Sequence, residues 1–256
     1  MAAARTLKLT VEYDGTDFCG YQTQGQGERT VQATLARAVR TITQQDVTLH
    51  AAGRTDTGVH ALGQVVSFQT TARVPTERLA IALNSVLPRD LSVAKAEDAP
   101  EGFHARFSAR RRTYAYLIWT RRTRSAIWGR YSLHLRRSVD EDLMRRAGQV
   151  LIGSRDFAAF AKTGGDPGTT TVRDLQALAI RRLPQNWGRG GLILFRVTAN
   201  GFLRSMVRNI VGALLEVGLG DLPPDAIADI LATRDRAQNP CAPAAPHGLC
   251  LLRVDY

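Results

Sequence analysis

The chain has 256 residues, 44% apolar and 22% charged, a composition that buries a globular core without disulfide or metal staples. Its formal charge of +11 points to a polyanionic partner, nucleic acid before an anionic membrane surface. Three cysteines, none in a C-x-x-C, argue against a disulfide framework or a structural zinc site, and no apolar run nears the ~18 residues of a membrane span.

The first predicted strand alternates Leu7, Leu9, Val11 and Tyr13 with Lys8, Thr10 and Glu12. It carries charge from the start, so Met1 to Asp14 does not read as a signal peptide. After an Asp14-Gly15 turn and a polar loop, Thr30 is a predicted N-cap for a helix with Val31, Leu35, Ala38, Val39 and Ile42 on one face. A short strand over Val47 to Ala51 leads into the loop Gly53 to Ala61, and Gln64 to Thr70 is the next strand. A helix from about Thr76 to Val86 ends before Pro88, and Leu91 to Ala96 closes a β-α-β-β-α-β unit.

The second half approximates the same order. Tyr114 to Thr120 is a predicted strand, Asp140 to Leu151 a helix, Val172 to Arg182 and Leu192 to Thr198 strands. Helices are expected over Leu203 to Val217 and Pro224 to Ala232, and Gly248 to Val254 is a last strand. The two halves divide at 1–105 and 106–256. Thr163 to Thr171 and Asn239 to Pro246 are expected to be mobile loops.

Two features carry chemistry. Between Phe103 and Arg137 there are 10 arginines and no Asp or Glu, among seven aromatic residues. Guanidinium groups suit phosphates and aromatic faces suit unstacked bases, so this belt is expected to bind RNA, with about half of its aromatics in the core. The second feature is the loop G-R-T-D-T-G-V-H-A at 53–61. Gly53 and Gly58 permit tight turns beside Asp56. Arg54, two residues away, favours an ionised carboxylate, which suits a nucleophile or base.

That loop, extended as G-R-T-D-T-G-V-H-A-L-G-Q, resembles the signature of the tRNA pseudouridine synthase A family. Y-D-G-T-D-F-C-G-Y-Q (13–22), T-V-Q (30–32), N-S-V-L-P (84–88), F-H-A-R-F-S-A (103–109) and M-V-R-N-I-V-G (206–212) are similar to further family segments in the same order. The resemblance implies that Asp56 is the catalytic carboxylate. It implies that Arg54 acts when the target base leaves the RNA stack, that Tyr114 stacks on the uracil, and that Arg208 pairs with the carboxylate. It also implies a substrate uridine at about positions 38 to 40 of the tRNA anticodon stem-loop, a cytoplasmic homodimer, and no metal or nucleotide cofactor. The architecture expected is α+β: two ferredoxin-like halves in a continuous, mainly antiparallel sheet, with helices on one face and an RNA-binding cleft on the other. Tyr21 stands where the family usually has Trp, Thr57 where Ala or Ser is commoner, and Ser205 where a larger polar residue is usual.

Three other readings fit the residues less well. A non-catalytic RNA-binding protein would have lost Asp56, Tyr114 or Arg208, and all three are present. A metal nuclease using Asp56 with His50, His60 or His104 has too few carboxylates for a hard metal. A dinucleotide enzyme lacks both glycine-rich phosphate motifs.

Overall fold

A computed structural model describes residues 4–23, 27–162, 164, 170–184 and 191–256. Most of the expected loop at 163–171 lies outside these residues. The described chain is mixed α+β, with mostly antiparallel strands. It divides into two compact units, one of residues 1–110 and 250–256 and one of residues 111–249.

The first unit opens with β1 (Arg5–Tyr13), then α1 (Val31–Thr43), β2 (His50–Ala51), β3 (His60–Thr70), α2 (Thr76–Asn84) and β4 (Leu91–Asp98). β3 inserts antiparallel between β1 and β2, and β4 pairs antiparallel with the other edge of β1. This is the split arrangement expected from element order. Register follows the hydrophobic alternation: Leu7 faces Phe68 and Leu9 faces Val66, and all four are buried. Thr30 caps α1 as expected, its Oγ1 accepting from the Ala33 N–H at 3.2 Å. The helix buries Val31, Leu35, Ala38 and Val39, while Ile42 is only half-buried and Thr43 takes the last inner position.

β3 begins at His60 rather than Gln64, so the end of the Gly53–Ala61 loop is already strand. It is also buried on both faces. Val66 and Phe68 lie on one side; on the other, Val65 packs with Ala52 and Ala105, backed by Phe103, Val254 and Tyr256. A last strand, β10 (Leu249–Asp255), pairs parallel with the start of β3, Cys250 beside His60 and Leu251 beside Ala61.

The second unit contains β5 (Arg111–Trp119), β6 (Leu133–His134), α3 (Glu141–Gly148), β7 (Gly153–Asp156), β8 (Val172–Arg182), β9 (Leu192–Ala199), α4 (Met206–Gly218) and α5 (Ala226–Thr233). β9 lies antiparallel between β5 and β8, and β7 continues the order beyond β8. The short β6 and β7 have no counterpart in the predicted elements, because two to four residues are too few to show a period. α3 is capped by the Asp140 side chain, which accepts from the Leu143 N–H at 2.9 Å, and ends in a 3₁₀ turn over Gln149–Leu151.

The 239–246 segment, expected to be mobile, is instead tied down. Asn239 Nδ2 donates to the Ala159 carbonyl at 3.1 Å, Arg208 Nε donates to the Ala244 carbonyl at 2.7 Å, and the Tyr116 hydroxyl donates to the Ala245 carbonyl at 2.8 Å. Its Pro and Ala content reads as a loop, but a loop with several carbonyls claimed by side chains of other elements has little freedom.

Candidate active site

The Gly53–Ala61 loop is held from beneath. Thr55 is buried, and its Oγ1 shares a 2.8 Å hydrogen bond with the Tyr13 hydroxyl. Gln64 Nε2 donates to the Tyr13 oxygen at 3.3 Å and to the Gly53 carbonyl at 2.8 Å. The Tyr21 N–H donates to the Thr55 carbonyl at 3.0 Å. These bonds hold Gly53 and Thr55, while of the residues on either side of Thr55, Arg54 is exposed and Asp56 half-exposed. Burial of Tyr13 pushes its phenol up to about 12, against the pull of its bonds to Thr55 and Gln64, so it stays a neutral hydroxyl at any working pH.

The downstream half of the loop turns sharply. The Val59 N–H donates to the Asp56 carbonyl at 3.1 Å, and Gly58 sits at φ 77°, where a Cβ would be strained. Gly53 has no such dihedral; its part is to offer the carbonyl that Gln64 holds. Gly15 lies so close to Val59 that a Cβ there would overlap the Val59 carbonyl oxygen. Its N–H donates to His60 Nδ1 at 3.0 Å, and the same ring nitrogen lies 3.2 Å from Asp14 Oδ1. His60 therefore orders the loop. His50 and His104 stack on each other at 4.4 Å, and among the described residues no three His, Cys, Asp or Glu side chains gather to hold a metal ion.

Tyr114 and Arg208 belong to the second unit. Tyr114 lies on β5 opposite Val197, 8% exposed, with Phe202 edge-on at 5.2 Å. Arg208 is in the first turn of α4 and half-exposed. Tyr116, on the same face of β5 as Tyr114, and Arg208 donate to the successive carbonyls of Ala245 and Ala244, so the 244–245 backbone fastens this part of β5 to the start of α4. Ser205, just before α4, adopts a left-handed conformation at φ 58°, which is costly for a non-glycine residue.

The basic belt sorts by depth. Tyr114, Tyr116 and Trp119 are buried, Phe103 and Trp128 half-buried, and Phe107 and Tyr131 exposed. Some of its charge is already matched: Arg137 forks onto Asp221 at 2.7 and 3.1 Å. Sequence reasoning missed the Tyr13–Thr55–Gln64 support. Tyr13 reads as one more inward strand residue, and Gln64, a fully buried amide in β3, is the residue type that signals a buried polar network.

The family model described as tRNA pseudouridine synthase matches residues 9–108 and 147–256. The chain is 44% identical over 252 residues to tRNA pseudouridine synthase A of Moorella thermoacetica, covering 98% of this chain and 99% of that protein. It is 41% identical over 252 residues to the same-named protein of a Thermoanaerobacter species (98% and 100% covered). It is 43% identical over 253 residues to that of Bacillus pumilus (98% and 98%).

Proposed function

The chain belongs to the tRNA pseudouridine synthase family, an isomerase acting on tRNA uridine, and from that premise we propose that its target is a uridine at about positions 38 to 40 of the anticodon stem-loop, with Asp56 as the catalytic carboxylate. The observation that carries the site assignment is the clamp on Thr55. It fixes the backbone on which Asp56 stands, and Asp56 itself is half-exposed, as a residue that must meet a ribose requires.

Uridine and pseudouridine are isomers. The N1–C1′ bond breaks, the uracil turns, C5 bonds to C1′, C5 gives up its proton and N1 gains one. Bond breaking builds positive character on the sugar, as in glycoside cleavage. An ionised Asp56 can stabilise that charge or trap C1′, act at C2′, or add to uracil C6; each of these routes uses the same carboxylate. Tyr114 serves as the surface on which the detached uracil stacks and as an acceptor for the C5 proton. Arg54 fills the space left by the extruded base, an extrusion that costs a few kcal/mol, and Arg208 pairs with the Asp56 carboxylate. A homodimer in the cytoplasm, working without metal or nucleotide cofactor, completes this reading. Its support is the order and spacing of the family segments along this chain.

The test is Asp56→Asn, which keeps the shape and removes the charge. Pseudouridine formation in tRNA should vanish while tRNA affinity stays within a few-fold of the parent. Turnover by that variant would end the assignment. Mapping pseudouridine in tRNA from cells lacking the protein would fix the position: loss anywhere but the anticodon stem-loop would refute the proposed target.

A further inference from the structure

Phe107 is the most exposed large apolar side chain among the described residues, 76% accessible, and the backbone that presents it is held in place. The Ala105 N–H donates to Ser67 Oγ at 3.0 Å, the Tyr256 hydroxyl donates to the Ala105 carbonyl at 2.9 Å, and the Ser108 N–H donates to the His104 carbonyl at 2.9 Å. His104 Nδ1 accepts from the Arg106 N–H at 3.1 Å. A turn fastened this firmly and rooted in the core through Ala105 has no packing reason to hold a phenyl ring in water, where hydration opposes it.

The ring is the outer member of a stack. His50, at the start of β2, lies 4.4 Å from His104, and His104 lies 4.5 Å from Phe107. The Arg106 guanidinium sits 5.6 Å from the Phe107 centroid, and Arg110 beyond it is exposed. Burial, with His50 and Arg106 alongside, holds His104 below its ordinary value, and a guanidinium flanks the outer ring. The turn packs through Ala105 against Ala52 and Val65, and Ala52 is the residue that leads into the Gly53–Ala61 loop.

We propose that the His50–His104–Phe107 stack receives an unpaired base of the bound RNA, a reading that rests on tRNA being the substrate. Every base has a π-face, and stacking on an exposed aromatic with arginine alongside is how proteins hold unpaired nucleotides. Charge selects this occupant over a second copy of the chain. Arg106 and Arg110 welcome a phosphate backbone, whereas another chain of net charge +11 brings like charge to the same spot.

The experiment measures tRNA binding and turnover for Phe107→Ala, Phe107→Trp and Arg106→Ala. Stacking energies of this kind predict a Kd for Phe107→Ala weaker by roughly 5- to 150-fold. KM rises, kcat stays, and the melting temperature is unchanged because the side chain is exposed. The slope of log Kd against log salt also stays, because no phosphate contact is lost, whereas Arg106→Ala lowers it by about one. Phe107→Trp binds like the parent, and its added indole emission is quenched by tRNA. Overturning results are a Phe107→Ala Kd within twofold of the parent, an unquenched Phe107→Trp, or unchanged affinity with a shift in sedimentation, which would make the patch a contact between copies. Binding is read without turnover. A parent protein that makes no pseudouridine would therefore remove the proposed function and leave the stack standing, and the converse result would spare the function.

Discussion

Replacing Tyr13 with Phe removes one oxygen atom from the layer beneath the Gly53–Ala61 loop. Gln64 Nε2 loses a 3.3 Å contact but keeps the Gly53 carbonyl at 2.8 Å. Thr55 Oγ1 loses its 2.8 Å partner while 7% exposed. One buried hydroxyl left unpaired costs about 1–3 kcal/mol. At about 2–4 °C per kcal/mol for a chain of this size, the melting temperature should drop by roughly 2–12 °C. Tyr21 supplies the control. It is 2% exposed, and its hydroxyl finds no partner among the described residues, so Tyr21→Phe removes a desolvated group that bonds nothing. That variant should melt at or above the parent. Adding Thr55→Val to Tyr13→Phe should recover most of the loss, because deleting both partners of a buried bond is far cheaper than deleting one. Scanning calorimetry at neutral pH reads all three, and turnover gives a second readout: Tyr13→Phe should lower kcat with KM held, since Thr55 adjoins Asp56. Tyr13→Phe melting with the parent, or Tyr21→Phe melting below Tyr13→Phe, would refute the clamp.

Gly15→Ala should cost stability and activity together, by about 1–3 kcal/mol for an overpacked site, because its methyl group meets the Val59 carbonyl; urea melts and turnover check both. The depressed His104 makes a pH prediction. The unfolded chain takes up that proton more readily than the folded one, so stability is complete above pH 6.5, the ordinary histidine value, and is lost as pH falls through it. His104→Asn, which keeps an acceptor but does not titrate, should shrink the difference in melting temperature between pH 7.5 and 5.5; an unchanged difference would show that other groups set it. Pseudouridine formation should survive EDTA, and loss of turnover there would revive metal chemistry. Affinity for tRNA should fall steeply with salt, and a flat response would remove the basic belt from the binding surface.

Much of this was legible in the amino-acid pattern. β1 and α1 declare themselves because one buried face repeats every second residue in the strand and every third or fourth in the helix. Thr30 is legible as a cap because its hydroxyl has an obvious donor three residues on. The Asp56 loop stands out because its residues match a family segment; without that, an Asp before a Thr-Gly reads as an ordinary turn. Other features depend on contacts distant in sequence. Nothing local shows that the Ala245 and Ala244 carbonyls are claimed by Tyr116 and Arg208, or that β10 returns to lie beside His60. The Tyr13–Thr55 pair spans 42 positions, and each member alone looks commonplace. The depth sorting of the belt was foreseen only as a proportion. Alternation on β5 accounts for Tyr114 and Tyr116, but the exposure of Phe107 follows from a turn that Ser67 and Tyr256 hold.

The pairing of β10 with β3 makes the first unit discontinuous in the order of synthesis. Its opening 110 residues leave the ribosome without the strand that flanks His60 and Ala61, and that strand follows only after the whole second unit has been made. At typical elongation rates the intervening stretch of roughly 140 residues takes about 7–30 s. During that interval the edge of β3 next to the Asp56 loop is an open ladder, available to chaperones or to wrong partners. A nascent chain stalled anywhere before residue 250 therefore carries every side chain of the loop, yet lacks the strand that pairs with His60 and Ala61 at its end.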